Sequence, residues 1–157
     1  MHSAPAGAYF AFDIVAPARL GLAHTLCLQG YPRQGVEQAH LVLEDALQIE
    51  HPATLSILLT RAFLLFLWVG DLQTVEKVSD WFVSIARSHS MAAQAVMGRG
   101  LKATLAIRRG DPQTGVDILQ DCVRELPAAG YGMMAAPFNL SLAQGLAATG
   151  RLAKAYD

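Results

Sequence analysis

Four glycines, Gly30, Gly70, Gly110 and Gly150, stand 40 residues apart and constrain what this chain can fold into. Each follows an apolar stretch with helical spacing and precedes a more polar one, so each marks the end of one helix and the start of the next. A period of about 20 to 50 residues is typical of helical-repeat proteins, in which one unit cannot bury its apolar face alone. The sequence therefore predicts one helix–turn–helix unit that is used repeatedly.

Start and stop residues around the glycines predict the bounds of the helices. Pro17, Pro32 and Pro112 suit the first turn of a helix, because proline has no N–H to lose there. Asp71 and Asp111 directly follow their glycines, where a carboxylate caps the next helix. The predicted helices span about 17–29, 32–50, 53–69, 72–88, 91–109, 112–128, 134–149 and 152–157.

These helices form four pairs, the last incomplete, and predict an all-α, right-handed superhelix with a 40-residue period. We expect residues 1–15 to be an N-terminal segment that is partly disordered or caps the first pair, followed by a repeat domain over 16–157. The expected units span about 16–50, 53–90, 91–129 and 134–157. Because so short an eighth helix cannot cover helix 7, either the natural chain continues or a second copy packs there. The candidate dimer contacts are Leu142 and Leu146.

Composition favours a packed helical array over a nucleic-acid-binding or membrane protein. Hydrophobic residues make up 53% of the chain and charged residues 16%, as expected when neighbouring repeats cover several helices on two sides. A net charge of −1 provides no global field that attracts nucleic acid or anionic membranes. Arg61 lies in the middle of the most apolar stretch, so we interpret that stretch as a buried core helix. With no export signal, and with Cys27 and Cys122 expected as reduced thiols, the expected location is cytoplasmic.

Small residues recur on both sides of the glycine turns. Those seven residues before a glycine are Ala23, Ala103 and Ala143, and those five residues after one are Gly35, Gly115 and Ala155. Close helix crossings need small side chains, and this pattern resembles the tetratricopeptide repeat. The 40-residue period exceeds that family's usual length of about 34, and the second unit departs from the pattern with Phe63 and Val75.

A longer resemblance covers roughly residues 13–157. It rests on the runs LCLQGYPRQGVEQAHLVLEDALQIEHPATLSILL, RAFLLFLWVGDLQTVEKVSDWF, GRGLKATLAIRRGDPQTGVDIL and LAQGLAATGRLAKAYD, with Gly30-Tyr31-Pro32 and His51-Pro52 opening helices. These runs resemble the C-terminal array of bacterial ATPase-type (STAND) transcriptional regulators and adenylate cyclase-associated regulators. The resemblance implies an array that senses a ligand or partner downstream of a nucleotide-binding switch, with a winged-helix or cyclase domain further upstream. The chain itself lacks the G-x-x-x-x-G-K-[ST] phosphate loop, so we do not expect it to hydrolyse ATP by that route.

In tetratricopeptide arrays the first helix of each unit lines a concave groove, which implies where a ligand would bind. By their phase relative to the glycines, the residues expected in the groove are Leu20, His24, Thr60, Arg61, Leu64, Trp68, Thr104, Arg108, Leu140 and Gln144. The family's carboxylate-gripping lysine and asparagine are absent, which leaves an apolar surface with a few polar groups and one tryptophan for stacking. The alternative is that the arginines are solvated or paired and Trp68 belongs to the core.

Short clusters of reactive residue types are interpreted as structural. The face formed by Glu37, His40 and Glu44 on helix 2 lacks the second Glu-x-x-His motif that a metal site in a helical bundle needs. Ser88-His89-Ser90 lacks an orienting acid and is interpreted as a turn. His24 and Cys27 lack further zinc ligands and are interpreted as packing residues.

Nucleic-acid binding would need more basic residues than helix 5 carries, and aromatic residues interleaved with them. We expect the basic residues of helix 5 to form a solvated or partner-facing surface. They are Arg99, Lys102, Arg108 and Arg109.

The sequence thus favours a non-catalytic interaction module, the sensor or scaffold part of a bacterial regulator. Its expected partners are a protein segment, a peptide or a small apolar ligand, and it is expected to use no cofactor, metal, nucleic acid or membrane. The alternative is a structural homo-oligomerisation domain whose end helices form a dimer. A third hypothesis, an enzyme or metal protein, depends only on the Glu37, His40 and Glu44 face.

Overall fold

α-Helices dominate the part of the chain that the computed structural model describes, residues 15–128 and 135–151. No strand occurs in these ranges, so the predicted all-α class is confirmed. The helices are α1 Val15–Leu28, α2 Pro32–Asp45, α3 Pro52–Val69, α4 Leu72–Ser88, α5 Ala92–Arg108, α6 Pro112–Ala128 and α7 Ala135–Ala148. The second predicted helix is shorter than expected, because Ala46–Gln48 form a 3₁₀ turn. Most of the predicted segment 1–15, the Gly130 to Gly132 break and the predicted eighth helix lie outside the described residues.

All four repeating glycines adopt a left-handed backbone conformation. φ is +87° at Gly30, +80° at Gly70, +92° at Gly110 and +74° at Gly150. At each turn the next residue donates its N–H to the carbonyl oxygen five residues earlier, over 2.8 to 3.0 Å, which closes the helix. A Cβ atom at any of the four would meet nothing within 4 Å, so the need for glycine there is conformational. The predicted glycine turns are confirmed.

The residues that follow two of these turns cap the next helix, as the sequence predicts. The Asp71 carboxylate accepts the Thr74 N–H at 3.0 Å and the Thr74 hydroxyl at 2.6 Å. Forty residues later in the sequence, Asp111 accepts the Thr114 N–H at 3.3 Å. These bonds satisfy backbone N–H groups that have no partner within the helix, so they fix where α4 and α6 begin.

The chain divides into two compact units, with the boundary between Leu65 and Phe66 inside α3. In the N-terminal unit α1 packs on α2. A Cβ atom on Gly35 would lie 2.6 Å from the Ala23 carbonyl oxygen and 2.5 Å from Cys27 Sγ, so only glycine permits this approach. The small-residue crossing that the sequence predicts between the first two helices is therefore present.

In the C-terminal unit α5 packs against α4 and α6, and α7 packs against α6 and α5. The α5/α6 crossing repeats that of the first pair, because a Cβ atom on Gly115 would lie 2.7 Å from the Ala103 carbonyl oxygen and overlap the Ile107 side chain. The core of this unit draws on every helix from α4 to α7. Its largest fully buried side chains include Phe82, Leu101, Leu119, Leu126 and Phe138.

Among the described helices, α3 alone is long and apolar enough to cross a membrane by length and composition. Yet 61% of it is buried within the protein. Leu58, Leu59, Ala62 and Phe63 are all at most 1% exposed, whereas Arg61 lies on the exposed side. This burial supports the interpretation of α3 as a core helix.

Candidate functional site

The predicted groove residues of the N-terminal unit differ in their access to solvent. His24 is half-buried, with Nδ1 2.8 Å from the Leu20 carbonyl oxygen, and Leu20 itself is fully buried. Leu64 is half-buried, and Arg61 is exposed. Of this set, the Arg61 guanidinium is therefore the group most available to a ligand.

In the C-terminal unit, four of the five predicted groove residues reach the surface. Trp68 is 57% exposed and Leu140 is 62% exposed. Arg108 and Gln144 are also exposed, and Arg108 Nη2 donates to the Leu67 carbonyl oxygen at 3.2 Å. This bond holds a guanidinium beside the backbone of the residue that precedes Trp68.

Thr104 is an exception, because its side chain is only 2% exposed and does not reach the surface. Within the described part of the chain its Oγ1 atom makes no hydrogen bond. Thr60, also buried and at a predicted groove position, donates its hydroxyl to the Ser56 carbonyl oxygen at 2.8 Å. Thr104 therefore carries a desolvation cost that Thr60 avoids.

The predicted dimer contacts of α7 need correction. Leu146 is 3% exposed and Leu142 is half-buried, so Leu146 is not available to a second copy. The physical reason is that α7 turns this face towards its neighbours: a Cβ atom on Gly145 would lie 2.7 Å from Val116 Cγ2. The large apolar residue that α7 does expose is Leu140.

Of the four basic residues on or directly after α5, three form ion pairs, and the fourth bonds to a carbonyl oxygen. Arg99 pairs with Glu125 at 2.5 Å and Lys102 with Asp80 at 2.6 Å. Arg109 holds Glu76 with two parallel bonds of 2.8 and 2.9 Å, and Arg108 bonds to a carbonyl oxygen of α3.

The bidentate bond and the charge of Arg109 hold the pKa of Glu76 below its ordinary value, and the same bond raises the pKa of Arg109. The basic residues of α5 therefore fasten it to α3, α4 and α6.

The C-terminal unit also contains a cavity of about 610 Å³ between α4, α5 and α6. Its apolar lining comes from Val83 and Ala86 of α4, Met91 and Ala95 around the start of α5, and Ile118 of α6. The sequence analysis missed this cavity, because its walls come from three helices and no linear pattern joins them. The signal in the sequence that could have indicated the cavity was a pair of small residues on α5 close to two basic residues.

The charged residues that line this cavity are mostly cationic. Among the described residues they are Arg87, Arg99 and Lys102, together with one carboxylate, Asp121. Ser90, in the turn before α5, lies at the same cavity with φ of +51°, and it is the only described residue other than glycine with positive φ. An apolar interior edged by cations is suited to an anionic ligand with an apolar body.

The residues considered for metal or nucleophile chemistry do not assemble into a site. Among the described residues no three His, Cys, Asp or Glu side chains are grouped to hold a metal ion, and Glu37, His40 and Glu44 are exposed. Ser88 donates its hydroxyl to the Ile85 carbonyl oxygen at 3.2 Å, at the end of α4. The metal hypothesis therefore gains no support, and Ser88-His89-Ser90 is a helix-ending turn.

Both cysteines are free thiols, as the sequence predicts. Burial raises the pKa of each, and for Cys122 it is the largest of several causes. Cys122 is fully buried, with Sγ 3.5 Å from the Val96 carbonyl oxygen. Because the thiolate is the reactive form, neither cysteine has the environment of a nucleophile.

Comparison of the chain with protein-family models, with curated proteins and with solved structures finds no match in any of the three.

Proposed function

We propose that this chain is a non-catalytic interaction module of the tetratricopeptide-like, superhelical type, which binds a protein segment or a peptide. In this proposal it is the sensor or scaffold part of a bacterial transcriptional or signalling regulator. The observation that carries the proposal is the 57% exposure of Trp68 at the end of a helix whose other residues are mostly buried. Tryptophan and arginine are enriched among the residues that dominate the binding energy of protein interfaces, and an exposed indole offers a large apolar area to a partner.

The surroundings of Trp68 support this proposal. Arg108 lies one repeat after Trp68, and its guanidinium is held on the carbonyl oxygen of Leu67. Leu140, on the first helix of the next repeat, is 62% exposed. We name Trp68, Arg108, Leu140 and Gln144 the first-helix surface. An aromatic side chain, a fixed guanidinium and an exposed leucine are suited to an extended or helical peptide with apolar anchors and one acidic group.

The test is selection of binders from a displayed library of random peptides on the wild-type protein, followed by fluorescence anisotropy with one selected peptide. Trp68→Ala should weaken the peptide's affinity by at least about tenfold, because truncated interface anchors cost that much or more. Arg108→Ala should weaken it less, and by a salt-dependent amount.

Matched controls are available outside the first-helix surface, one in the 3₁₀ turn after α2 and one on α6. Leu47→Ala removes a leucine that is 69% exposed, and Arg124→Ala removes an exposed cation of α6. Both should leave the affinity within about twofold, as expected for surface changes outside a binding site. Selected peptides that bind Trp68→Ala as tightly as the wild type contradict the proposal, as does a library that yields no saturable binder.

The alternative, a structural homo-oligomerisation domain, has one observation in its favour, the exposed Leu140 on α7. Light scattering over a tenfold concentration range decides between them. A dimer that Leu140→Ala converts to a monomer, with the peptide affinity unchanged, supports assembly. A monomer at every concentration removes this alternative and leaves the first-helix surface open to a different partner.

A further inference from the structure

We propose that the cavity between α4, α5 and α6 binds a small amphipathic anion, a carboxylate with an aliphatic or aromatic body. This inference does not depend on the proposed peptide surface. At about 610 Å³ the cavity falls within the usual range of about 300 to 1,000 Å³ for small-molecule sites. It lies wholly within the C-terminal unit.

The apolar part of the ligand is defined by the interior of the cavity. Val83, Ala86, Met91, Ala95 and Ile118 present aliphatic groups and a thioether, without aromatic rings. Alanines that line a cavity leave room that larger side chains would fill. A flexible hydrocarbon body suits such walls, because contact with them removes apolar surface from water without requiring a fixed ring orientation.

Gly98 lines the cavity at a place where α4 and α5 approach each other closely. A Cβ atom there would lie 2.9 Å from Val83 Cγ2, which is closer than side-chain atoms approach one another. Gly98 therefore allows α4 and α5 to approach closely while contributing no side chain to the cavity. Any larger residue would push α4 away or project into the space between the helices.

The sign of the ligand's charge follows from the charged lining. Lys102 points across to Asp80 of α4 and Arg99 to Glu125 of α6, and these side chains are 37% and 49% exposed. Asp121 is engaged by Arg124 of its own helix.

Arg87, in the last turn of α4, makes no ion pair among the described residues. The carboxylate of a bound ligand would find its partner in Arg87, whose charge no carboxylate of the described residues offsets in an ion pair.

The cavity and the first-helix surface occupy opposite sides of α5. Arg99 lines the cavity and Arg108 belongs to the first-helix surface. They are nine residues apart, which at 3.6 residues per turn is two and a half turns, so they lie half a turn from each other around the axis. Lys102 faces the cavity side, and Arg108 bonds to α3. Each surface can therefore be changed without touching the other, and the two proposals fail or succeed separately.

The test is isothermal titration calorimetry with decanoate, decylammonium and decanol, each below its aggregation concentration. Decanoate should bind saturably with one site per chain. Decylammonium, of equal length and opposite charge, should bind at least about tenfold more weakly, since cation–carboxylate hydrogen bonds are roughly twice as strong as neutral ones. Equal affinities for the two ions, or no saturable decanoate binding, would overturn the proposal.

Two variants locate the site. Ala95→Phe places a ring at an exposed position on the cavity lining and should abolish decanoate binding. Arg87→Gln should weaken it about fivefold, a size appropriate to a partly solvated ion pair. Arg33→Gln, an exposed cation of α2, is the matched control and should leave binding unchanged. Decanoate affinity that Ala95→Phe does not lower contradicts the assignment.

Amide chemical shifts provide a readout that needs no variant. In a ¹H–¹⁵N NMR titration of the wild-type chain, decanoate should perturb residues 83–102 and 118–121 most strongly. Perturbations spread evenly over the chain, or centred on the first-helix surface, would contradict binding in this cavity.

Discussion

The carbonyl oxygen of Ala103 lies 2.7 Å from the point that a Cβ atom of Gly115 would occupy. The α1/α2 pair contains the same arrangement, in which the Ala23 carbonyl oxygen lies 2.6 Å from the Cβ position of Gly35. Ion pairs repeat as well: Arg19 joins Asp45 at 2.7 Å, and 80 residues later Arg99 joins Glu125. Two helix pairs in different parts of the chain thus cross by the same contacts.

Gly115→Ala should destabilise the protein, by about 1 to 3 kcal/mol, because the added methyl overpacks the crossing. Gly21→Ala is the matched control. Its Cβ atom would meet only Arg61 Nη2, at 3.9 Å, so better helix propensity should stabilise the protein by about 0.5 to 1 kcal/mol. Urea denaturation of both variants measures the effect. Stabilisation by Gly115→Ala would show that α5 and α6 are not held this closely in solution.

Ser90→Gly should stabilise the protein by about 0.5 to 1 kcal/mol, because a left-handed conformation costs a non-glycine residue about 1 to 2 kcal/mol and glycine's chain entropy offsets part of the gain. Ser90 closes α4 with φ of +51°, and Met91 donates to the Ala86 carbonyl oxygen at 2.9 Å, as in the glycine turns. The reverse change, Gly110→Ser, should destabilise by about 1 kcal/mol. Thermal unfolding measures the change in stability of both variants. If both variants were more stable than the wild type, or both less stable, this account would be contradicted.

The sequence was most informative where a residue type is required by backbone geometry. The glycine turns, the Asp71 and Asp111 caps and the Gly35 and Gly115 crossings could be predicted because each depends on a local rule. The 3₁₀ turn after α2 has no comparable residue to mark it.

The candidate sites could be predicted only in part. Exposure of Trp68 and Arg108 follows from helical phase, but burial of Leu146 and Thr104 depends on which neighbour covers each helix face. The cavity depends on how three helices meet, and its residues extend from Val83 to Asp121 in the sequence. The apolar periodicity within one helix does not determine how far apart the residues of different helices lie.

Thr104→Val should stabilise the protein by about 1 kcal/mol, since it removes a buried hydroxyl that has no partner among the described residues and preserves the side-chain volume. Thr60→Val is the matched control, because its hydroxyl donates to the Ser56 carbonyl oxygen. That change should be neutral or destabilising. Chemical denaturation of the pair tests the difference, and a loss of stability in Thr104→Val would show that its hydroxyl has a partner in solution.

Glu76 should make stability depend on pH in the acid range. Because Arg109 lowers the pKa of Glu76 from its ordinary value of 4.5, the folded state favours the carboxylate. Its contribution is present above that ordinary value and is lost as the pH falls through the lower, folded-state pKa. Glu76→Gln should therefore be less stable than the wild type near neutral pH, and the difference should shrink in acid.

Carboxyl ¹³C NMR titration measures this effect directly. Arg109→Gln should move the Glu76 midpoint up towards its ordinary value, because the variant removes both the hydrogen bond and the charge. An unchanged midpoint in Arg109→Gln would show that the ion pair does not persist in solution.

The regular spacing of the four glycines reveals the repeat in the sequence. It is also the feature of the repeat that substitutions can remove most easily. A Cβ atom at Gly30, Gly70, Gly110 or Gly150 would have no neighbouring atom within 4 Å. Ser90 demonstrates that a residue other than glycine can occupy such a turn. Asparagine, which tolerates the left-handed region, could replace any of the four at modest cost. The helix crossings at Gly35 and Gly115 allow no such exchange. Distant relatives of this chain should therefore be sought by their crossing glycines, since their turns need not preserve the 40-residue interval in any visible form.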